Sequence, residues 1–311
     1  MRGRVLAAAL FVELCIIGAC GARTGLLSPE TEETDEPHRD AGPDARDAST
    51  EDAREEEVPD VIEEGLPTCD PEALYVYLVT TETILYRFDP PTNGFTQVGF
   101  LACPSIDSPF SMGVNRKGRA FVVYGDGNLF LVDVNDASCQ ETSFQPDQFG
   151  FHTFGMGFAI DDDMMGESLY VAEISFDAPP LGLGTIDTNT LELDFISPFS
   201  ETFGVAMELT SSDDGQLYGY MLDDSGTGGG HVLRIDKATA EILEDTFLPV
   251  GDGASALAFA YWGGDFYIFT APQGTGTTVT RYRPSDGTVT VVATLNERVV
   301  GAGVSTCSPG R

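Results

Sequence analysis

The sequence predicts an all-β fold built from five repeated units of about four strands each, and three observations carry that reading. From Leu74 onward, short apolar runs alternate with polar residues and are separated by Gly, Asp, Asn and Pro. That is the pattern of strands joined by tight turns. The runs also recur at a nearly constant spacing. Finally, the last run supplies a strand that the first unit lacks.

The repeat is clearest in one strand of each unit. Tyr86–Asp89, Phe130–Asp133, Gly184–Asp187, Leu233–Asp236 and Thr280–Arg283 each end in a polar turn, and their last positions lie 44, 54, 49 and 47 residues apart. Asp suits that corner because its carboxylate accepts backbone N–H groups two residues on. Arg283 breaks the pattern, and Asp286 is expected to form that turn instead. These Asp residues are therefore read as turn formers, not catalysts. Before each motif comes a small and apolar strand, then an aromatic one. Phe110–Val114 precedes Ala120–Tyr124, Phe154–Phe158 precedes Leu169–Ala172, Val205–Leu209 precedes Leu217–Tyr220, and Leu257–Ala260 precedes Phe266–Phe269. Residues 236–244 are the only mild helical candidate.

Four strands at this period resemble the blades of a β-propeller, in which WD40 units run about 40–45 residues and kelch units about 50. Neither the Trp-Asp pair of WD40 nor the double Gly of kelch recurs, so the resemblance is to the architecture, over residues 70–307. The first unit begins at Leu74–Val79, an aromatic second strand, and Val299–Val304 has the look of the missing first strand. The expectation is a five-bladed β-propeller closed by the C-terminal strand, which leaves only short sheet edges. The alternatives are an open sandwich or a six-bladed ring. Gly113, Gly157, Ala206, Ala258 and Gly301 are expected to let the first strands crowd the axis, with Met112, Met156 and Met207 lining the channel.

Four of the six cysteines, Cys69, Cys103, Cys139 and Cys307, fall in this region, and four allow three connectivities. Cys69 and Cys307 flank the seam on one face of the predicted disc, so a bridge there fastens the ring. Cys103 and Cys139 remain as the second pair. Cys103 follows a fourth strand and Cys139 begins one, which puts them on opposite faces, about 17–20 Å apart for a strand of usual length. A bridge needs Cα atoms within about 7 Å. Either the 102–109 segment crosses the blade, or one strand is misplaced.

The N-terminus reads as an address. Arg2 and Arg4 precede an apolar stretch, Val5–Ala19, interrupted by Glu13 and ending in Ile17-Gly18-Ala19-Cys20. This order of parts resembles the lipobox of bacterial lipoproteins, and the resemblance implies a signal peptide over 1–19, cleavage before Cys20 and acylation of Cys20, with the inner Cys15 lost. Two or three acyl chains hold a protein firmly on a membrane. The alternative is an ordinary secretory signal with a chance Cys. Gly21, where a retention Asp would otherwise stand, weakly favours the outer membrane. The 14 Arg against two Lys resemble the codon bias of a high-GC bacterium, and the run Cys20-Gly-Ala-Arg-Thr-Gly-Leu resembles the start of many myxobacterial lipoproteins. Residues 28–64 carry 16 acidic and three basic residues, a net −13, and are read as a disordered acidic tether. The chain thus divides into 1–19, a lipidated linker over 20–68, and a propeller over 69–311.

A net charge of −34 repels phosphate backbones and excludes nucleic acid as a partner. Little else in the sequence carries chemistry. His38 lies in the tether, and His152 and His231 have no Ser or Asp at triad spacing. Asp161–Asp163 and Gly166 begin like a calcium loop, but Ala172 stands where a Glu is required, leaving only a weak cation site there or at Asp213–Asp214. The Gly226–Gly230 run lacks the lysine of a phosphate loop. No zinc spacing occurs, so no metal, cofactor or catalytic residue is assigned. The function expected is a lipid-anchored, non-catalytic binding or scaffold module with a protein or small-molecule partner. The alternative is a propeller enzyme, such as a calcium-dependent lactonase or a sugar-acting hydrolase or lyase, which needs convergent polar groups at the axis. Glu208 is the one acid within the first strands.

Overall fold

The computed structural model describes residues 66, 68–174, 181–201, 204, 206–223 and 228–310. Residues 1–19, Cys20, the acidic segment 28–64, Val205 and part of the Gly226–Gly230 run lie outside them. Among the described residues, twenty strands form five four-stranded antiparallel sheets, and two short 3-10 turns, Pro71–Leu74 and Gln148–Gly150, are the only helical pieces. No helix there is long and apolar enough to cross a membrane.

Blade 1 joins the two ends of the domain. It contains β1 (Val76–Thr80), β2 (Ile84–Asp89) and β3 (Gly94–Phe100), with β20 (Val299–Val304) as its innermost strand. β20 pairs antiparallel with β1, setting Val76 opposite Val304 and Leu78 opposite Ala302. Blade 2 runs outward from β4 (Pro109–Val114) through β5 (Arg119–Tyr124) and β6 (Leu129–Asp133) to β7 (Cys139–Glu141). Blade 3 is β8 (Phe154–Ile160), β9 (Glu167–Glu173), β10 (Leu183–Ile186) and β11 (Leu193–Ser197). Blade 4 is β12 (Met207–Ser211), β13 (Leu217–Leu222), β14 (Gly230–Ile235) and β15 (Ile242–Leu248). Blade 5 is β16 (Ala254–Trp262), β17 (Asp265–Pro272), β18 (Thr277–Arg283) and β19 (Thr288–Leu295). The helical candidate at 236–244 is instead a turn leading into β15.

The inner strands neighbour one another in the order β4, β8, β12, β16, β20 and back to β4, so the ring closes. Side chains alternate across a strand. The second strands therefore serve two interfaces at once. Val76 and Leu78 pack with Tyr267 and Phe269 of blade 5, while Tyr77 and Val79 pack with Met112 and Val122 of blade 2. Five apolar clusters result, one at each blade interface. This explains why the second strands are mostly buried, whereas outer strands such as β15 and β19 are largely exposed.

The inner strands approach closely, as the small residues predict. A Cβ on Gly301 would stand 2.9 Å from the backbone of Ser111 and Met112, and one on Gly157 would stand 2.8 Å from the Leu209 carbonyl. The methionines correct the expectation. Met112, Met156 and Met207 are fully buried in the blade 1–2, 2–3 and 3–4 clusters and do not line the axis. These three side chains lie in the interfaces between neighbouring blades instead.

The turn aspartates do what the repeat implies. Asp133 accepts from the Asn135 N–H, Asp187 from Asn189 and Thr190, and Asp236 from Ala238 and Thr239. Those donors hold all three carboxyls below the usual range. In blade 5 the Thr288 N–H bonds to Asp286, and Arg283 turns to Asp265 at 2.9 Å.

Both predicted disulfides are present. Cys69 and Cys307 have Cα atoms 5.9 Å apart, and Cys103 and Cys139 have theirs 5.2 Å apart. The second pair corrects the predicted separation without moving any strand. β7 is only three residues long, with Cys139 opposite Val132. The segment after β3 also crosses to blade 2: Ser105 donates to Asp126 at 2.7 Å, and the Gly125 N–H donates to the Ser108 carbonyl at 3.0 Å. Twist of about 20–25° between neighbouring strands adds to this, because it accumulates outward and aims an outer strand at the next blade.

Candidate functional site

All inner strands run in the same sense, so the disc has two distinct faces. The connections from outer strand to next inner strand, at 101–108, 142–153, 198–206, 249–253 and 296–298, gather where the inner strands begin. This is the loop face. Where the inner strands end, short turns at 115–118, 161–166, 212–216 and 263–264 make the other face, which also holds Cys69 and Cys307. This is the seam face.

The C-terminal tail closes the axis on the seam face. Ser305 donates to the Ala73 carbonyl at 2.7 Å, and Thr306 donates to Glu167 at 2.7 Å. Arg116 donates to the Thr306 hydroxyl at 2.9 Å, and the Gly263 N–H donates to the Pro309 carbonyl at 2.8 Å. A Cβ on Gly310 would run into the Asp213 carboxylate. The tail thereby touches every blade, with Thr306 and Ser308 buried. Burial pushes the Glu167 carboxyl above its usual range, opposed by the Arg116 N–H and the Thr306 hydroxyl.

On the loop face the axis is open. A cavity of ≈ 250 Å³ lies there, and residues from all five blades line it. Phe110, Ile174, Leu222, Leu257 and Val300 give it apolar walls, and its polar lining is Glu208, Asp223 and Ser255. Glu208 is 3% exposed, and the Ser111 hydroxyl from blade 2 donates to its Oε2 at 2.8 Å. Burial in apolar surroundings pushes the Glu208 carboxyl well above the usual carboxylate range, and the Ser111 hydrogen bond only partly opposes that.

The other candidates are dispersed. Asp162 pairs with Lys237 at 2.6 Å, Asp161 accepts from Ser168, and Asp163 accepts from the Met165 N–H. Asp213 accepts from Tyr261, and Asp214 accepts from Ser212. Among the described residues, no three His, Cys, Asp or Glu side chains converge as a metal site would need. His152 bonds to Asp147 on the surface, and His231 lies on β14 against Asp245. Glu208 was visible in the sequence as the one acid of the first strands. Ser111 was not singled out, although it is a polar residue within an apolar strand.

The chain is thus a five-bladed β-propeller with a one-ended axial pocket. No protein-family model matches the sequence, and neither does any curated protein. Among solved structures, TolB from Acinetobacter baumannii is similar at 17% identity and a TM-score of 0.41, over 71% of this chain and 53% of that one. A protein of unknown function from Bacteroides thetaiotaomicron is similar at 13% identity and a TM-score of 0.42, over 74% and 63%. The dihydro-heme d1 dehydrogenase NirN is similar at 15% identity and a TM-score of 0.33, over 74% and 45%. The matched part is thus less than two thirds of each of these chains.

Proposed function

We propose that the protein is a lipid-anchored module of the cell envelope that binds a ligand in its axial pocket and catalyses no reaction. The observation that carries the binding role is the pocket itself, with a buried carboxyl set in apolar walls and the opposite mouth closed. Pockets that hold ligands are mostly apolar concavities with a few placed polar groups. Long loops on one face of a rigid scaffold are also where binding residues concentrate. Export is supported by the two disulfides, which persist in oxidising compartments. The anchor is supported by the Ile17-Gly18-Ala19-Cys20 run, and placement at the outer membrane by Gly21. Fractionation tests the anchor: Cys20→Ala is expected to move the protein from the membrane to the soluble envelope fraction. Retention in the membrane fraction would place the anchor elsewhere.

A further inference from the structure

We infer that the axial pocket selects a small apolar amine, bound as its ammonium ion with the charged end on Glu208. This deepens the binding role proposed above and rests on it. The shape of the site comes first. Its walls are Phe110, Ile174, Leu222, Leu257 and Val300, which accept a hydrocarbon body of a few carbons. Its volume of ≈ 250 Å³ falls just below the usual range of small-molecule sites, about 300–1,000 Å³. A chain-like or monocyclic ligand fits that space better than a nucleotide or an oligosaccharide.

The sign of the charge comes second. Glu208 and Asp223 are the ionisable residues of the lining, and no Lys, Arg or His lines it among the described residues. Arg298 stands beside the lining, where its guanidinium donates to the Ser255 hydroxyl at 2.9 Å and also to the Ser255 carbonyl. The lining residues of blades 3 and 4 are Ile174, Gly204, Ala206, Glu208, Leu222 and Asp223, with two acids and no base among them. A chain of net charge −34 also draws cations toward itself and repels anions.

Glu208 itself comes third. A carboxyl 3% exposed has lost most of its water, and Ser111 is its one described hydrogen-bond donor. An ammonium group brings donors and a compensating charge to such a site. A neutral alcohol brings one hydrogen bond and no charge. An apolar carboxylate would set two acids together without a cation between them. Apolar walls and a buried acid at the closed end thus match an amphiphilic cation, with the alkyl part toward the loop face.

Calorimetric titration of the folded protein with hexylamine and with hexanol at neutral pH and low salt tests this. Hexylamine is expected to bind more tightly by roughly tenfold, the scale of one charge-assisted hydrogen bond. Glu208→Gln keeps the shape of the side chain, and it is expected to erase most of that preference. Equal affinity of the wild-type protein for the two probes overturns the selectivity for a cation and leaves the pocket as a binding site. Binding of neither probe overturns the pocket as a small-molecule site as well. A preference for hexylamine that survives in Glu208→Gln assigns the charge contact to another residue and overturns the role of Glu208. The wild-type comparison decides the first point even if the variant does not fold.

Discussion

The two faces of the disc are made from the same strands but are finished differently. On the seam face the turns between inner and second strands are short, and the tail Ser305–Gly310 reaches every blade. A disulfide, an Arg116–Thr306 contact and a Glu167–Thr306 contact hold it there. On the loop face the connections at 101–108, 142–153 and 198–206 are longer, and the axis ends in a cavity around Glu208. At the axis on the seam face, the buried Ser305, Thr306 and Glu167 find partners within the chain itself. The loop face leaves space beside a buried acid. A ring that closes through its own termini must be fastened where they meet. The opposite end of the axis is then free to remain hollow.

Removing the fastening should have the largest effect. Truncation before Val299 strips β20 and the tail from blade 1 and exposes the edge of β1. We expect loss of the folded state, with aggregates on size-exclusion chromatography and no cooperative melt. A truncated chain that melts cooperatively would mean that four and three-quarter blades suffice.

A milder break at the same place is Cys69→Ser with Cys307→Ser. The closed loop spans 238 residues, and the expected cost is about 2–5 kcal/mol in denaturant unfolding. Peptide mapping under non-reducing conditions should join the Cys69 and Cys307 peptides. Finding Cys69 joined to Cys103 instead would redraw the seam.

Gly157→Ala probes the crowding common to both faces. Its new methyl would meet the Leu209 backbone at 2.8 Å, so blades 3 and 4 must separate slightly. Overpacking of this kind costs about 1–3 kcal/mol. A neutral effect would show that the inner strands have slack.

The smallest expected effect lies on the loop face and has the opposite sign. The folded pKa of Glu208 is raised above its unfolded value. Such a group stabilises the fold below the unfolded value, and that contribution is lost as pH rises through the folded one. Glu208→Gln, which does not titrate, should therefore raise Tm relative to wild type at pH 8 and change it less at pH 4. The expected gain is about 1–2 kcal/mol, the scale of a buried polar group short of partners. Lower stability of the variant at both pH values would mean that the carboxylate is well compensated where it sits.

Much of the fold was legible in the sequence, for reasons that differ by element. Turn residues act locally, so Asp133, Asp187 and Asp236 reported their corners directly. The missing first strand was legible because a repeat shows its own gap. The channel lining was not. Met112 and Ser111 are adjacent, and a period of two sends adjacent residues to opposite sides of a strand. Met112 packs between blades while Ser111 reaches Glu208. Nothing in the order of residues says which side is which. The seam-face tail was also missed, since Ser305–Gly310 has neither periodicity nor apolar content.

The sequence by itself determined the strand class, the five repeats, the closing strand and the Cys69–Cys307 bridge. These follow from side-chain periodicity and turn chemistry, which act over a few residues, and from counting repeats. Only the tertiary structure decided that Cys103 reaches Cys139, that the axis is closed at one end, and that Glu208 meets Ser111 across 97 positions of chain. These depend on accumulated twist, on the short β7 and on ring closure. They are properties of the assembled blades, and no single segment of the sequence contains them.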